Sequence, residues 1–346
     1  MQKTINGITY EIDKIKAKVI TSDKNITVAN ILSEIDEKPV TAIWHNAFLD
    51  CESLVSAIIP NTITYIGSDA FHNCRTLKSI IIPDSVKVIR DNVFENCQNL
   101  KSITLPNSMK KFGYGVFSLC YSLLSIILPN SIGNIPRMTF YNCASLTSVV
   151  IPNSVTKICK EAFCGCTSLT TIEIPNSVTE IGNRAFDGCT SLTSITLPDS
   201  VTHIGEDTFY NCASLKIIII PDTVTEIKEC AFSNCESLKL ITMPNSVAKI
   251  GGSAFFGCKS FESITIPDSV TEIGDYAFAY CESLESVTIP DSLVKIGSFA
   301  FRECNNIKNV YFSQNLLDRP DADVIFTQLF DAGLRTREVL LRIPTL

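Results

Sequence analysis

Residues 189–212 read Cys189-Thr-Ser-Leu192-Thr-Ser-Ile195-Thr-Leu197-Pro198-Asp199-Ser200-Val201-Thr-His203-Ile204-Gly205-Glu-Asp-Thr208-Phe209-Tyr-Asn-Cys212. Apolar residues alternate from Ile195 to Leu197, the mark of a short strand with one face buried, and Pro198 ends it because proline brings no N–H to a ladder. The pattern recurs every 23 residues: eleven prolines, from Pro60 and Pro83 to Pro267 and Pro290, keep that spacing without a slip. Such a fixed period belongs to a stacked array. One unit holds too few apolar side chains to offset the entropy of ordering its own backbone, so neighbouring coils must bury each other's faces. The 346 residues therefore predict one elongated repeat solenoid rather than two closed domains.

Other columns keep the same register. Asn or Asp follows each of the eleven prolines and Ser or Thr comes next, from Asn61-Thr62 to Asp291-Ser292. This corner is good turn chemistry, with proline expected at the second turn position and the short polar side chains satisfying backbone groups that leave the sheet. A phenylalanine column runs from Phe48 to Phe301, twelve rings in one file, and reads as an aromatic spine. Seven glycines, among them Gly67, Gly113, Gly205 and Gly274, share a column with Arg90, Pro136, Cys159 and Lys228, so a positive φ is not obligatory there. The segment between that column and the phenylalanine, such as Ile273-Gly274-Asp275-Tyr276-Ala277-Phe278, spaces its apolar residues for one helical or 3₁₀ turn.

Twelve of the fifteen cysteines form a further column, Cys51 to Cys304. Equivalent residues of stacked coils lie about 4.8 Å apart with parallel Cα–Cβ vectors, whereas a disulfide needs Cβ atoms about 3.8 Å apart and turned toward each other. The column reads as buried thiols packing as small apolar groups. Cys159, Cys164 and Cys166 fit no common zinc spacing.

The net charge of −7 disfavours a general nucleic-acid binder. Charge is uneven: residues 75–111 carry seven basic against three acidic side chains, and residues 260–291 seven acidic and none basic. No apolar run of signal-peptide or membrane-spanning length is present, so no membrane insertion is expected. His45, His72 and His203 sit in different repeats and make no triad with a nucleophile. No Gly-rich phosphate loop or metal spacing appears, so no catalytic, cofactor or metal residue is nominated and the chain is expected not to be an enzyme.

Outside the period, residues 1–40 hold strand-like runs at Ile5–Ile12, Lys16–Ile20 and Ile26–Val28 and read as an N-terminal β cap. The array is assigned to 41–312 and a C-terminal cap or tail to 313–346. Within the latter, Asp321 to Ala332 predicts a short amphipathic helix with Ala322, Ile325, Phe326, Leu329 and Phe330 on one side, ended by Gly333. Val339–Leu346 is largely apolar and has no assigned role.

The unit Leu192-Thr-Ser-Ile195-Thr-Leu197-Pro198-Asp-Ser-Val201, continued by Ile204-Gly205 and Phe209-Tyr-Asn-Cys212, resembles the BspA-type leucine-rich repeat over roughly residues 41–312. The resemblance implies an α/β repeat solenoid: a right-handed arc with a parallel sheet on its concave face and short helical or 3₁₀ turns on its convex face. It also implies a surface or secreted, adhesin-like protein that binds host matrix or cell-surface proteins. An intracellular scaffold or effector built on the same repeats is the alternative.

With the sheet lining the concavity, two files of strand side chains point outward. One is mostly serine, including Ser56, Ser79, Ser102, Ser125 and Ser148; the other runs through Ile58, Ile81, Thr104, Ile127 and Val150. Large apolar residues dominate the N-terminal part of the second file, and exposed apolar surface marks interaction sites. The expected partner-binding surface is therefore Ile58 to Val150, flanked by Lys78, Lys87, Lys101 and Lys111, with a protein as the partner.

Overall fold

The computed structural model describes residues 1–312 and 314–334; Val339–Leu346 lies outside them. Contacts divide the chain into two compact units, Met1–Ser177 and Val178–Leu346.

In the first unit, Gln2–Ile5 and Ile8–Ile12 form an antiparallel hairpin about Asn6-Gly7, both left-handed, and Ala17–Ser22 pairs antiparallel with the second strand. Lys38–Ile43 then lies parallel to Ala17–Ser22, followed by Tyr65–Ile66, Val88–Ile89 and Lys111–Phe112. A second row contains the three-residue strands: Val28–Asn30 beside Ser56–Ile58, Ser79–Ile81 beside Ser102–Thr104, and Ser125–Ile127 beside Ser148–Val150, all parallel. Each coil thus carries two strands, one on either side of the proline corner. The short second strand was not expected from the sequence, and neither was Lys38–Ile43, which crosses residue 40. N-terminal residues feed both rows.

The corner differs from expectation in one respect. The Pro83 carbonyl accepts the Val86 N–H at 3.0 Å, and Pro60, Pro129 and Pro152 do the same for the third residue on. Proline is therefore first in the turn rather than second, and the Asn/Asp-Ser/Thr pair supplies the two central residues. The Ser/Thr hydroxyl reaches back a coil, as in Ser177 Oγ to the Val155 carbonyl at 2.7 Å. The hydroxyls of Ser85 and Ser154, at the same position, are buried without a partner.

The returning segment is built from turns rather than helical or 3₁₀ structure. A 3₁₀ run needs successive i→i+3 bonds. Here the N–H groups of His72, Cys74 and Leu77 close such bonds within the coil, while those of Asp69, Phe71 and Asn73 point away to the Asp91, Val93 and Glu95 carbonyls of the next coil. Reversing alternate peptides requires left-handed residues. They stand two before and two after every column phenylalanine: Asp69 and Asn73, Asn92 and Asn96, Gly115 and Leu119, Met138 and Asn142 flank Phe71, Phe94, Phe117 and Phe140. The glycine column serves another purpose: a Cβ on Gly67 or Gly113 would lie 2.6 or 2.3 Å from backbone of the preceding coil.

Buried phenylalanines stack nearly parallel, with Phe48 and Phe71 centroids 5.0 Å apart at 4°. The column thiols are more than apolar filler. Cys74, Cys97, Cys120, Cys143 and Cys166 each donate Sγ–H to the phenylalanine carbonyl of the preceding coil at 3.1 to 3.2 Å. None of the fifteen cysteines forms a disulfide. Burial, the largest cause, pushes the Cys97, Cys143 and Cys166 thiols far above their ordinary range.

The second unit repeats these devices. Three-residue strands pair as Ser194–Thr196, Ile217–Ile219 and Leu240–Thr242, then as Ser263–Thr265, Ser286–Thr288 and Asn309–Tyr311. The other row runs from His203–Ile204 through Glu226–Ile227, Lys249–Ile250 and Glu272–Ile273 to Lys295–Ile296. Phe186 to Phe301 stack at 5.2 to 5.6 Å. After the last coil a helix, Ala322–Asp331, takes over bonds that a further coil would make. The Phe301 N–H reaches the Ala332 carbonyl at 2.8 Å, and the Ile296 N–H reaches Gln328 Oε1 at 3.3 Å. Arg319 Nη1 donates to the Asp291 and Leu293 carbonyls, each at 2.7 Å. Ala322, Ile325 and Leu329 are the buried face; Phe330, expected with them, is 63% exposed, and Phe326 meets Phe312 edge-on. Gly333 follows in a positive-φ conformation.

Two predictions follow from this packing. Met138→Gly should unfold at no lower denaturant concentration than the parent, because glycine relieves the left-handed backbone, whereas Met138→Val should lose about 1–2 kcal/mol; a loss for glycine and none for valine would contradict the turn geometry. In native protein at pH 8, a thiol reagent should modify at most Cys159, Cys164 and Cys230, which are half-buried, and all fifteen after denaturation. Cys230 should react slowly, since burial and then Asp207 and Glu229 push its thiol up to about 11.

Candidate interaction surface

In a strand of three residues whose middle side chain enters the core, the two outer ones must face water. Ser79–Ile81, Ser102–Thr104, Ser125–Ile127 and Ser148–Val150 all follow that rule. Parallel pairing without slip then lines the outer residues up within each strand pair: Ile81 opposes Thr104 and Ile127 opposes Val150. Ile58, Ile81, Ile127 and Val150 are 60, 71, 72 and 52% exposed. Thr104 is exposed between them.

The ladder is interrupted after Ser56–Ile58, after Ser102–Thr104 and again between Ser148–Val150 and Thr171–Ile172, where a groove lined by Val150, Asn153, Glu173 and Asn176 opens. Lys78 and Lys101 are exposed at the entrances to their strands, and the Lys101 N–H donates to the Lys78 carbonyl at 2.9 Å. Lys87 and Lys111 belong to the other side of the corner: Lys87 Nζ donates to the Asp84 carbonyl at 3.1 Å, and Lys111 sits in the two-residue row.

Stacking treats the two charged stretches differently. Across the acidic one, Glu272 meets Lys249 and Lys295 at 3.4 and 2.9 Å, and Glu285 meets Lys308 at 2.9 Å. Hydrogen bonding to Lys295, the largest cause, lowers the Glu272 carboxyl below its usual range. In the basic stretch Arg75 meets Glu52 at 3.6 Å, while among the described residues Lys78, Lys101, Lys110 and Lys111 make no ion pair. Lys78 and Lys101 therefore leave an unneutralised basic border beside the apolar file of the first unit.

Sequence reasoning passed over a second apolar group. Ile217, Ile219 and Leu240 are 53, 67 and 53% exposed on the strand face of the second unit, with Ile217 directly opposite Leu240. Its signal was present: isoleucine and leucine interrupt the serine file at those two positions.

On the turn side the three histidines differ. His45 Nδ1 accepts the Ser68 N–H at 2.9 Å and its Nε2 lies 3.2 Å from the Tyr65 hydroxyl. His203 Nδ1 lies 3.4 Å from the Thr202 hydroxyl. His72 Nδ1 faces two carboxylates, Asp69 Oδ1 at 3.8 Å and Glu95 Oε2 at 3.5 Å. Among the described residues this is the group of His, Cys, Asp and Glu side chains placed to share an ion. The sequence reading set His72 aside because the three histidines fall in different repeats and make no triad; its carboxylates stand three and 23 positions away, and only the coil repeat makes the second spacing a contact.

Among the described residues no helix is long and apolar enough to cross a membrane. The model of the BspA type leucine rich repeat region matches in six copies across residues 41–166, 133–260 and 231–322. Comparison with curated proteins gives no match. Among solved structures, a leucine rich cell surface protein of Faecalibacterium prausnitzii is 29% identical, with 97% of this chain and 98% of that one covered and a TM-score of 0.65. A leucine-rich repeat protein of Bacteroides ovatus is 32% identical over 92% of this chain and 98% of that one, with a TM-score of 0.64. The leucine rich repeat protein of T. pallidum is 31% identical over 56% and 92%, with a TM-score of 0.52.

Proposed function

This chain belongs to the BspA-type leucine-rich repeat family, and from that premise we propose that it is a non-enzymatic protein-binding module of adhesin type, acting at the cell surface or after secretion. The observation that carries the reading is the file Ile58, Ile81, Thr104, Ile127 and Val150, whose four aliphatic members are more than half exposed. Coils need only the inward residue of each strand for their core, so the outward one is free to vary, and aliphatic side chains there leave apolar surface for a partner to cover. The family resemblance supports reading this strand face as the concave one.

Lys78 and Lys101 border the file without ion-pair partners among the described residues. They favour a protein partner that brings an apolar ridge with an acidic rim, because complementary charge steers encounter and fixes orientation. The cell-surface description of the Faecalibacterium prausnitzii neighbour supports the location. The thiols do not argue for an intracellular scaffold instead, since twelve of them are buried and shielded from oxidants in either compartment.

Against a panel of immobilised extracellular-matrix and cell-surface proteins, Ile81→Asp with Ile127→Asp should weaken binding at least about 30-fold, the scale of losing one interface hot spot. Circular dichroism should stay unchanged, because neither side chain enters the core. Unaltered affinity would overturn the assignment of this face. Labelling intact cells should reach the protein at their surface, and an exclusively cytosolic pool would remove the adhesin reading.

A further inference from the structure

The group formed by Asp69, His72 and Glu95 lies on the turn side of the first unit, away from the strand file. Its geometry follows from the repeat. Asp69 takes the left-handed position two before Phe71, with φ of 57°, and the His72 N–H closes the turn onto the Asp69 carbonyl at 3.2 Å. Glu95 is the residue equivalent to His72 one coil later, so stacking brings it alongside. The column they share is otherwise filled by residues as different as Leu49, Ser118, Tyr141 and Phe256. The constellation arises once because only here do a histidine, a following glutamate and the turn aspartate coincide.

The three groups converge without closing on one another. Nδ1 of His72 is shut off from solvent and makes no hydrogen bond, although Asp69 Oδ1 and Glu95 Oε2 stand 3.8 and 3.5 Å away. Where the same two turn positions carry Arg184 and Asp187, the side chains close to ordinary contacts of 3.0 and 2.8 Å. Nitrogen and oxygen ligands about 2.0–2.1 Å from a tetrahedral ion are separated by roughly 3.3 Å; the atoms here lie within 4.8 Å of one another, so small side-chain rotations would draw them in around an ion. Asn92 Nδ2 donates to Asp69 Oδ1 at 3.3 Å and steadies that carboxylate from the neighbouring coil.

We propose that Asp69, His72 and Glu95 form a binding site for a divalent transition-metal ion that joins two consecutive coils. One imidazole nitrogen and two carboxylate oxygens suit zinc, cobalt or manganese better than magnesium or calcium, which take oxygen ligands throughout. All three side chains are partly exposed, at 34, 25 and 22% respectively.

The test uses the full chain without a histidine tag, stripped with chelator and titrated with cobalt(II) by calorimetry and absorption spectroscopy. One saturable equivalent is expected, with ligand-field bands of nitrogen and oxygen coordination and no thiolate charge-transfer band. His72→Asn and Glu95→Gln should each weaken binding at least tenfold with unchanged circular dichroism, while a Cys159→Ser, Cys164→Ser, Cys230→Ser variant should bind as the parent does. Absence of saturable binding, binding that survives His72→Asn with Glu95→Gln, or a thiolate band removed by the cysteine substitutions would each overturn the proposal.

Discussion

Every coil must hand its backbone donors to the next one, and the exchange centres on the column phenylalanine. In the first unit the Phe94 N–H leaves for Val116 in the following coil, while the Phe94 carbonyl receives the Cys97 N–H from its own coil and the Cys120 thiol from the next. Both lone pairs of that buried carbonyl are used, which is why a small donor rather than a methyl group recurs three residues after each phenylalanine. The stacked rings, the left-handed residues on either side and the close approach at Gly113 all follow from holding this exchange in register. A coil without a successor leaves such groups unpaired, and in the second unit the Ala332 carbonyl and Gln328 Oε1 accept from its donors while Arg319 donates to its carbonyls.

The division of labour along the repeat follows from the same constraint. Residues whose side chains enter the core or serve the exchange cannot vary far, whereas the outward positions of the strands and the turn position after each phenylalanine can. Ile81 and Ile127 are exposed apolar side chains in the first kind of free position; His72 and Glu95 are ionisable ones in the second. Specificity can therefore be written on two faces of the same coils. The strand face of the first unit offers apolar area bordered by Lys78 and Lys101, and its turn face brings Asp69 and Glu95 alongside His72.

Side-chain identity made the period, the core columns and the candidate strand file legible, because proline, phenylalanine and cysteine recur where packing fixes them. Backbone direction was less visible. Asn73, Asn96 and Gly165 betray the left-handed position two after each phenylalanine, but Met138, Arg184, Tyr276 and Phe299 occupy the one two before it, and no propensity argument finds a left-handed turn there. The expected helical turn was the consequence of reading apolar spacing without knowing that alternate peptides face outward. Proline was assigned to the wrong turn position for a related reason: either placement puts the same residues at the corner, and only the Pro83 carbonyl bonded to the Val86 N–H distinguishes them. The Asp69, His72 and Glu95 group needed coil register as well as composition, and Leu240 escaped notice because the serine file was read from its majority.

The claim that alternate peptides of the turn segment bind the next coil is tested most directly by residue-resolved amide hydrogen exchange. Asn73, Phe94, Asn96 and Phe117, which lie in no strand, should be protected as strongly as the strand amides of Ser79–Ile81 and Ser102–Thr104. Exchange of those four amides at the rate of open loops, with the strands still protected, would contradict it.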